Sequence, residues 1–202
     1  MAKGQLFIIS GPSGVGKGTI VKRLLDETDV TFSVSMTTRK PRPGEVEGVS
    51  YYFVSDEEFD RTVEEEGFLE YAGNFGNRYG TPLAPILENL ESGRDVLLDI
   101  DIQGALSVKK RYPKGVFIFI LPPNMAELRK RITGRGTETE DSLNRRLGKA
   151  LEEISYIDKY DYCIVNGELD EAVTRAKAIL VAEHSRVTED IYKLIDTYKE
   201  EV

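Results

Sequence analysis

Sulfur crosslinking is excluded first: the 202-residue chain has one cysteine, Cys163, so no intramolecular disulfide can form. That suits a reducing, cytoplasmic setting rather than a secreted scaffold. There is also one histidine, His184, so a relay of clustered histidines is excluded. His184 falls in a helix-like C-terminal stretch and reads as structural or surface, and Cys163, inside an apolar run, reads as a buried core residue. No apolar run reaches membrane length. The opening MAKGQLFIIS is too short and ends in a glycine-rich turn, so it is neither a signal peptide nor a span. Positive charge is in deficit, 27 Lys+Arg against 35 Asp+Glu, for a net charge of -8. A broad nucleic-acid-binding face is therefore not expected, and phosphate binding would need locally gathered cations. Internal repeats, low-complexity tracts and flexible linkers are absent as well.

What is there is ordinary globular composition, 40% apolar and 31% charged, enough for one core without staples. Four apolar, β-rich runs stand out: Leu6 to Ile9, Val96 to Ile100, Val116 to Leu121 and Tyr162 to Val165. They do not alternate cleanly, which suits strands covered on both faces of a parallel sheet. Helix-like segments lie between them. Ile20, Val21, Leu24 and Leu25 share one face of a helix starting near Lys17, and Pro85 to Ser92 ends at a capping Gly93. The reading is α/β, a three-layer sandwich on a parallel sheet. Two stretches break the alternation. Residues 32–82, rich in turns, aromatics and acids, read as an inserted subdomain, and residues 122–157, helical and charged, read as a mobile cover or lid. The polar turn in that cover holds a capping-box pair, Thr137 and Glu140. The core is then expected from residues 1–31, 83–121 and 158–202.

The sharpest motif is GPSGVGKGT: Gly11, Pro12, Ser13, Gly14, Val15, Gly16, Lys17, Gly18 and Thr19. It follows an apolar strand and opens a helix, the context a phosphate-binding loop (P-loop) requires. Glycines let successive N–H groups point inward, the helix N-terminus adds partial positive charge, and Lys17 supplies a full charge for β- and γ-phosphates. Two glycines and a lysine so spaced arise at roughly 3 in 10,000 positions by chance, so the loop reads as a nucleotide site. The strict pattern places Ser or Thr directly after the lysine to hold magnesium. Here Gly18 intervenes and Thr19 carries the hydroxyl.

The second cluster runs from Ser33 as SVSMTTRKPRPGEVEGVSYYFV. Arg39 and Arg42 stand beside the hydroxyls of Ser35, Thr37 and Thr38, shortly before Tyr51 and Tyr52. Arginine forks hold phosphate oxygens, and tyrosines add donors and an aromatic wall. Taken alone this could equally be a basic solvated turn. Thr37 to Val54, however, resembles the signature segment of guanylate kinases: Thr-Thr-Arg, then Arg42, Glu45, Gly48 and Tyr51-x-Phe53. The resemblance extends to the phosphate loop, FLEYAGNFGNRYGTP, DVLLDIDIQG, GRGTETEDSLNRRL and the IVN at Asn166, nearly the whole chain.

That resemblance implies transfer of a phosphoryl group from ATP to GMP, with Mg2+, and with dGMP as a further candidate acceptor. It implies that Arg39, Arg42 and Tyr51 hold the GMP phosphate with help from Tyr79, and that Ser35, Glu70 and Thr81 meet the guanine. A carboxylate at Glu70 can accept from guanine N1–H and the 2-amino group, neither of which adenine offers. Asp99 and Asp101 follow a predicted strand, at the end that faces the crevice in a parallel sheet. By similarity, Asp99 positions magnesium with Thr19, directly or through water, and Asp101 reaches toward GMP. Arg131, Arg135 and Arg146 of the lid would point into the cleft, where transferred charge needs cations more than covalent chemistry. Arg129 and Arg145 read as solvated. The rivals are a kinase for another phosphorylated small molecule, a non-catalytic phosphopeptide-binding module of the same fold, and a regulatory GTPase, whose Asn-Lys-x-Asp motif is missing.

Overall fold

The computed structural model describes residues 3–74, 76–134, 140–187 and 189–200. Its main sheet has five strands in the order β2 (Thr31–Phe32), β7 (Val96–Asp99), β1 (Leu6–Ser10), β8 (Val116–Leu121), β9 (Tyr162–Val165). Every pairing within it is parallel. The four long apolar runs thus take their expected places, and a fifth strand, too short to stand out in the sequence, joins at the β7 edge. Alternate residues of one strand feed opposite layers. Phe7 and Ile9 pack with Leu97, Ile118 and Ile120 under α1 (Lys17–Glu27) and α7 (Leu169–Glu183). Leu6 and Ile8 pack with Leu98 and Phe117 under α3 (Leu83–Glu91) and α4 (Ile102–Arg111). Each such side chain, fully withdrawn from water, contributes about 1.5–3 kcal/mol, which is why both faces of these strands are apolar.

Residues 36–82 build a second, four-stranded sheet, β4 (Tyr52–Phe53), β3 (Met36–Thr37), β6 (Asn77–Pro82), β5 (Phe68–Asn74), with α2 (Asp56–Glu64) capped by Ser55. The helix was not legible among so many acids, yet three of them, Asp56, Glu57 and Glu58, occupy its first turn and favour its dipole. Between β8 and β9, α5 (Met125–Thr133) and α6 (Glu140–Ile154) enclose a small core of their own, Leu128, Ile132, Leu143 and Ala150. After α7, α8 (Glu189–Glu200) closes the described chain. Cys163 corrects its sequence reading: it lies on the edge strand β9 and is exposed, because Tyr162 and Ile164 turn toward the core and Cys163, between them, turns away.

Candidate active site

The phosphate loop joins β1 to α1 at the C-terminal edge of the sheet, where parallel sheets present their ligands. Gly16 caps α1 in a left-handed conformation, φ 97°, and a Cβ there would lie 2.6 Å from Nδ2 of Asn166. The same Nδ2 donates to the Val15 carbonyl at 2.8 Å and holds the loop from below. Lys17 Nζ folds back onto the Gly11 carbonyl at 2.8 Å. Gly18 and Thr19 are exposed on the first helical turn. Asp99 ends β7 directly beside Ile9 of β1. Burial pushes its carboxyl above the usual range, and Lys17 pulls it back down.

A pocket of about 300 Å³ opens between the two sheets, lined by Ser35, Tyr51, Glu70, Tyr79, Asp99 and Asp101, with Ala72, Ile100 and Gly104. Glu70 is its central group. The ladder between β5 and β6 pairs Phe68 with Pro82 but Glu70 with Thr81, so the register slips by one between them. A bulge of this kind re-aims a side chain. Directly opposed residues of an antiparallel pair share a face, and the Thr81 hydroxyl accordingly donates to Glu70 Oε1 at 2.5 Å. Burial raises the Glu70 carboxyl, Thr81 lowers it, and the nearby Asp101 raises it further. Asp101 also caps α4, accepting from the Gly104 N–H at 2.8 Å. Tyr51 and Tyr79 meet edge to face at 6.0 Å, and the Arg39 guanidinium lies 5.4 Å over the Tyr51 ring. Arg39 forks onto Glu45 at 2.8 and 3.0 Å, which raises its pKa, while its buried Nε has no hydrogen-bond partner among the described residues. Glu45 also accepts from the Arg42 backbone N–H at 2.7 Å, while Arg42 itself is exposed.

The α5–α6 pair leans on the phosphate loop. Arg131 donates to Glu127 at 3.0 Å and to the Val15 carbonyl at 3.2 Å, and Arg146 donates to Ser13 Oγ at 2.9 Å. Arg129 reaches Asn144 at 3.3 Å on an exposed surface. Arg135 and Thr137 lie outside the described residues, while Glu140, the other member of the capping pair, opens α6.

Three residues here had no individual signal in the sequence. Glu153 of α6 reads as one acid among many, yet burial raises its carboxyl against the pull of Lys149 and of Lys17 in the phosphate loop. Ala72 and Gly104 are small residues that matter through what they leave open. A second cavity, about 340 Å³, lies at the opposite end of the strands beside Thr28, Arg94, Lys177 and His184. Its polar side chains are already engaged: Arg94 with Asn89, Lys177 with Glu27, and His184 with Asp95 at 2.7 Å. His184 is thereby accounted for structurally.

Comparison with known proteins bears on the same region. The family model described as guanylate kinase matches residues 3–183. The guanylate kinase of Clostridium acetobutylicum is 55% identical over 195 residues, covering 96% of this chain and 93% of its own length. That of Caldanaerobacter subterraneus subsp. tengcongensis is 53% identical over 193 residues, covering 94% of each. The crystal structure of guanylate kinase from Anaplasma phagocytophilum aligns with a TM-score of 0.76 at 39% identity, over 92% of this chain and 89% of its own.

Proposed function

The chain belongs to the guanylate kinase family, and we propose from that premise how its residues divide the reaction among them. The reaction is transfer of the γ-phosphoryl group of ATP to GMP, giving ADP and GDP. An oxygen of the GMP phosphate bonds to the γ-phosphorus as the bond to the β–γ bridging oxygen breaks, and ADP leaves with that electron pair. No general base is needed, because a phosphate with a second pKa of about 6 already presents an ionised oxygen.

One observation supports this assignment most: the phosphate loop and the Glu70 pocket meet at Asp99, which lines the pocket and faces Lys17. Residues 11–19 cradle the ATP phosphates, with Lys17 swinging from Gly11 to the β- and γ-oxygens. In the insert, residues 32–82, Arg39 offers its unpaired Nε, and Arg42, Tyr51 and Tyr79 complete the grip on the GMP phosphate. Ser35, Thr81 and Glu70 read the guanine edge, and Asp101 faces the same nucleotide. Residues 122–157 act as the lid, with Arg131 and Arg146, together with Arg135, placing positive charge around the transferred group. Closure excludes water, whose attack on ATP is the competing reaction.

Thr19 and Asp99 offer one hydroxyl and one carboxylate. Such a sparse set suits Mg2+, which keeps several waters and takes its other oxygens from substrate phosphates. Among the described residues no cluster of three or more His, Cys, Asp or Glu is preassembled for a metal. When bound, the ion would neutralise charge on the β- and γ-phosphates. Among the described residues no helix is long and apolar enough to cross a membrane, and the single cysteine supports a cytoplasmic setting. No observation favours the rival readings.

The test is ADP production from ATP and Mg2+ with GMP, AMP, CMP and UMP as acceptors. GMP-dependent turnover with AMP weaker by orders of magnitude is expected. Folded protein that turns over none of the four would overturn the reading and make phosphopeptide binding the next assay.

A further inference from the structure

We propose that Gly104 is a positioning residue for guanine selectivity: the missing side chain in the first turn of α4 is the space against which the Glu70 carboxylate is packed. The inference rests on the reading of Glu70 as the group that meets guanine. A Cβ on Gly104 would lie 3.2 Å from Glu70 Oε2 and 3.4 Å from its Cδ, and 3.4 Å from Asp101 Oδ1. The other carboxylate oxygen, Oε1, is held by Thr81 at 2.5 Å. Glu70 is thus fixed between β6 on one side and bare helix backbone on the other.

Nothing else about the position asks for glycine. Gly104 is a buried helical residue without a left-handed backbone, so any residue could adopt its conformation. Its N–H donates to the Asp101 cap, which any residue but proline could do. Inside a helix glycine is less favourable than alanine. Close approach of the Glu70 carboxylate is the remaining reason for it.

A methyl group at this position must push Glu70 by a few tenths of an ångström. The carboxylate accepts two hydrogen bonds at fixed angles from N1–H and the 2-amino group, so a small displacement weakens both. AMP makes neither bond and is indifferent to the shift. Misplacement of this order costs roughly tenfold in rate.

The experiment compares kcat and KM for GMP and AMP in the unmodified protein, Gly104→Ala, Glu70→Gln and the double variant, with a melting temperature for each. Gly104→Ala is expected to raise KM for GMP and to lower the GMP:AMP ratio of kcat/KM about tenfold. KM for ATP should stay unchanged, and Tm should be equal or higher, as alanine favours the helix. The double variant should select no worse than Glu70→Gln alone, since both changes act through one carboxylate. A GMP:AMP ratio within about twofold of the unmodified protein in Gly104→Ala, while Glu70→Gln loses selectivity, overturns the proposal and leaves the role of Glu70 standing. Selectivity retained in Glu70→Gln overturns both. Should Gly104→Ala lower Tm, adding Glu70→Asp, whose shorter side chain withdraws from the methyl, is expected to restore it; failure to restore it overturns the packing contact.

Discussion

Glu70 and Glu45 are two carboxylates of one subdomain with opposite electrostatics, and their pH dependences should separate. The Glu70 carboxyl is raised by burial, so the folded protein holds that proton more tightly than the unfolded chain. Its contribution to stability is intact below the usual carboxylate range, near pH 4, and is lost as pH rises through the raised value. Glu45 is lowered, first by the hydrogen bond from Arg39 and then by the Arg42 N–H. Its contribution is present above the usual range and is lost as pH falls through the lowered value. Replacing Glu70 with Gln should therefore raise the ligand-free Tm by a few degrees at neutral pH and flatten the decline on the alkaline side, whereas Glu45→Gln should flatten the loss on the acid side; melting curves from pH 3 to 8 would separate them. The same Glu70→Gln change should lower kcat/KM for GMP by at least roughly 10²-fold and leave AMP almost untouched, the exchange of stability for recognition that a buried reader implies. Asn166 is a third residue with a specific job. Asn166→Ala removes the buried donor to the Val15 carbonyl, which should destabilise the protein by about 1–3 kcal/mol. Steady-state kinetics should then show KM for ATP raised and KM for GMP unchanged.

At the scale of elements, legibility follows periodicity. The strands β1, β7 and β8 announced themselves because both of their faces are buried, β9 because its short run is apolar although Cys163 and Val165 stay exposed, and α1 because Ile20, Val21 and Leu24 repeat on one face. The phosphate loop was legible because its chemistry is local in sequence. The Glu70–Thr81 pair was not: it depends on a slip in register between β5 and β6, which no pattern within either strand encodes. Gly104 and Glu153 escaped for the same reason, acting between segments rather than within one; Arg39 and Glu45 stand in one legible segment, and only their pairing was not read. The strand β2 was too short to register at all. Helix α5 gives a test of how well single cations were sorted from sequence. Arg129 and Arg131 are two residues apart, yet Arg129 meets Asn144 on the surface while Arg131 donates in a fork to Glu127 and the loop carbonyl of Val15. Arg131→Lys keeps the charge and loses the planar fork, and kcat should fall by roughly 10- to 100-fold. Arg129→Ala should stay within about twofold, as exposed substitutions do. Equal effects from the two changes would mean that charge on the lid, not its placement, is what the reaction uses.

The whole molecule assigns its work unevenly, and α8 marks the boundary. The two buried clusters on either face of the main sheet draw on β1, β7, β8 and their covering helices as far as Leu180 of α7. That helix is tied off by Glu183, nearly fully buried, which receives the Tyr162 hydroxyl and the Arg186 guanidinium. The family match also ends at residue 183. Beyond it, Ile191, Tyr192, Leu194 and Tyr198 of α8 are all exposed, at 40%, 61%, 46% and 54%. None of the residues placed in the phosphate loop, the Glu70 pocket or the lid comes from α8. Side chains that stay in water on folding contribute little to stability, because no apolar area is removed from solvent. A chain ending at Val187 keeps the Glu183 clamp and every group of the proposed site. It should therefore melt within about 2 °C of the full chain, since on the order of 1 kcal/mol moves Tm by ~2–4 °C at this size, with kcat/KM for GMP and for ATP each within about twofold. A Tm lowered by much more than that would mean α8 shields core surface in solution. Unchanged Tm with lost activity would instead place an unrecognised contribution to the reaction in the last helix.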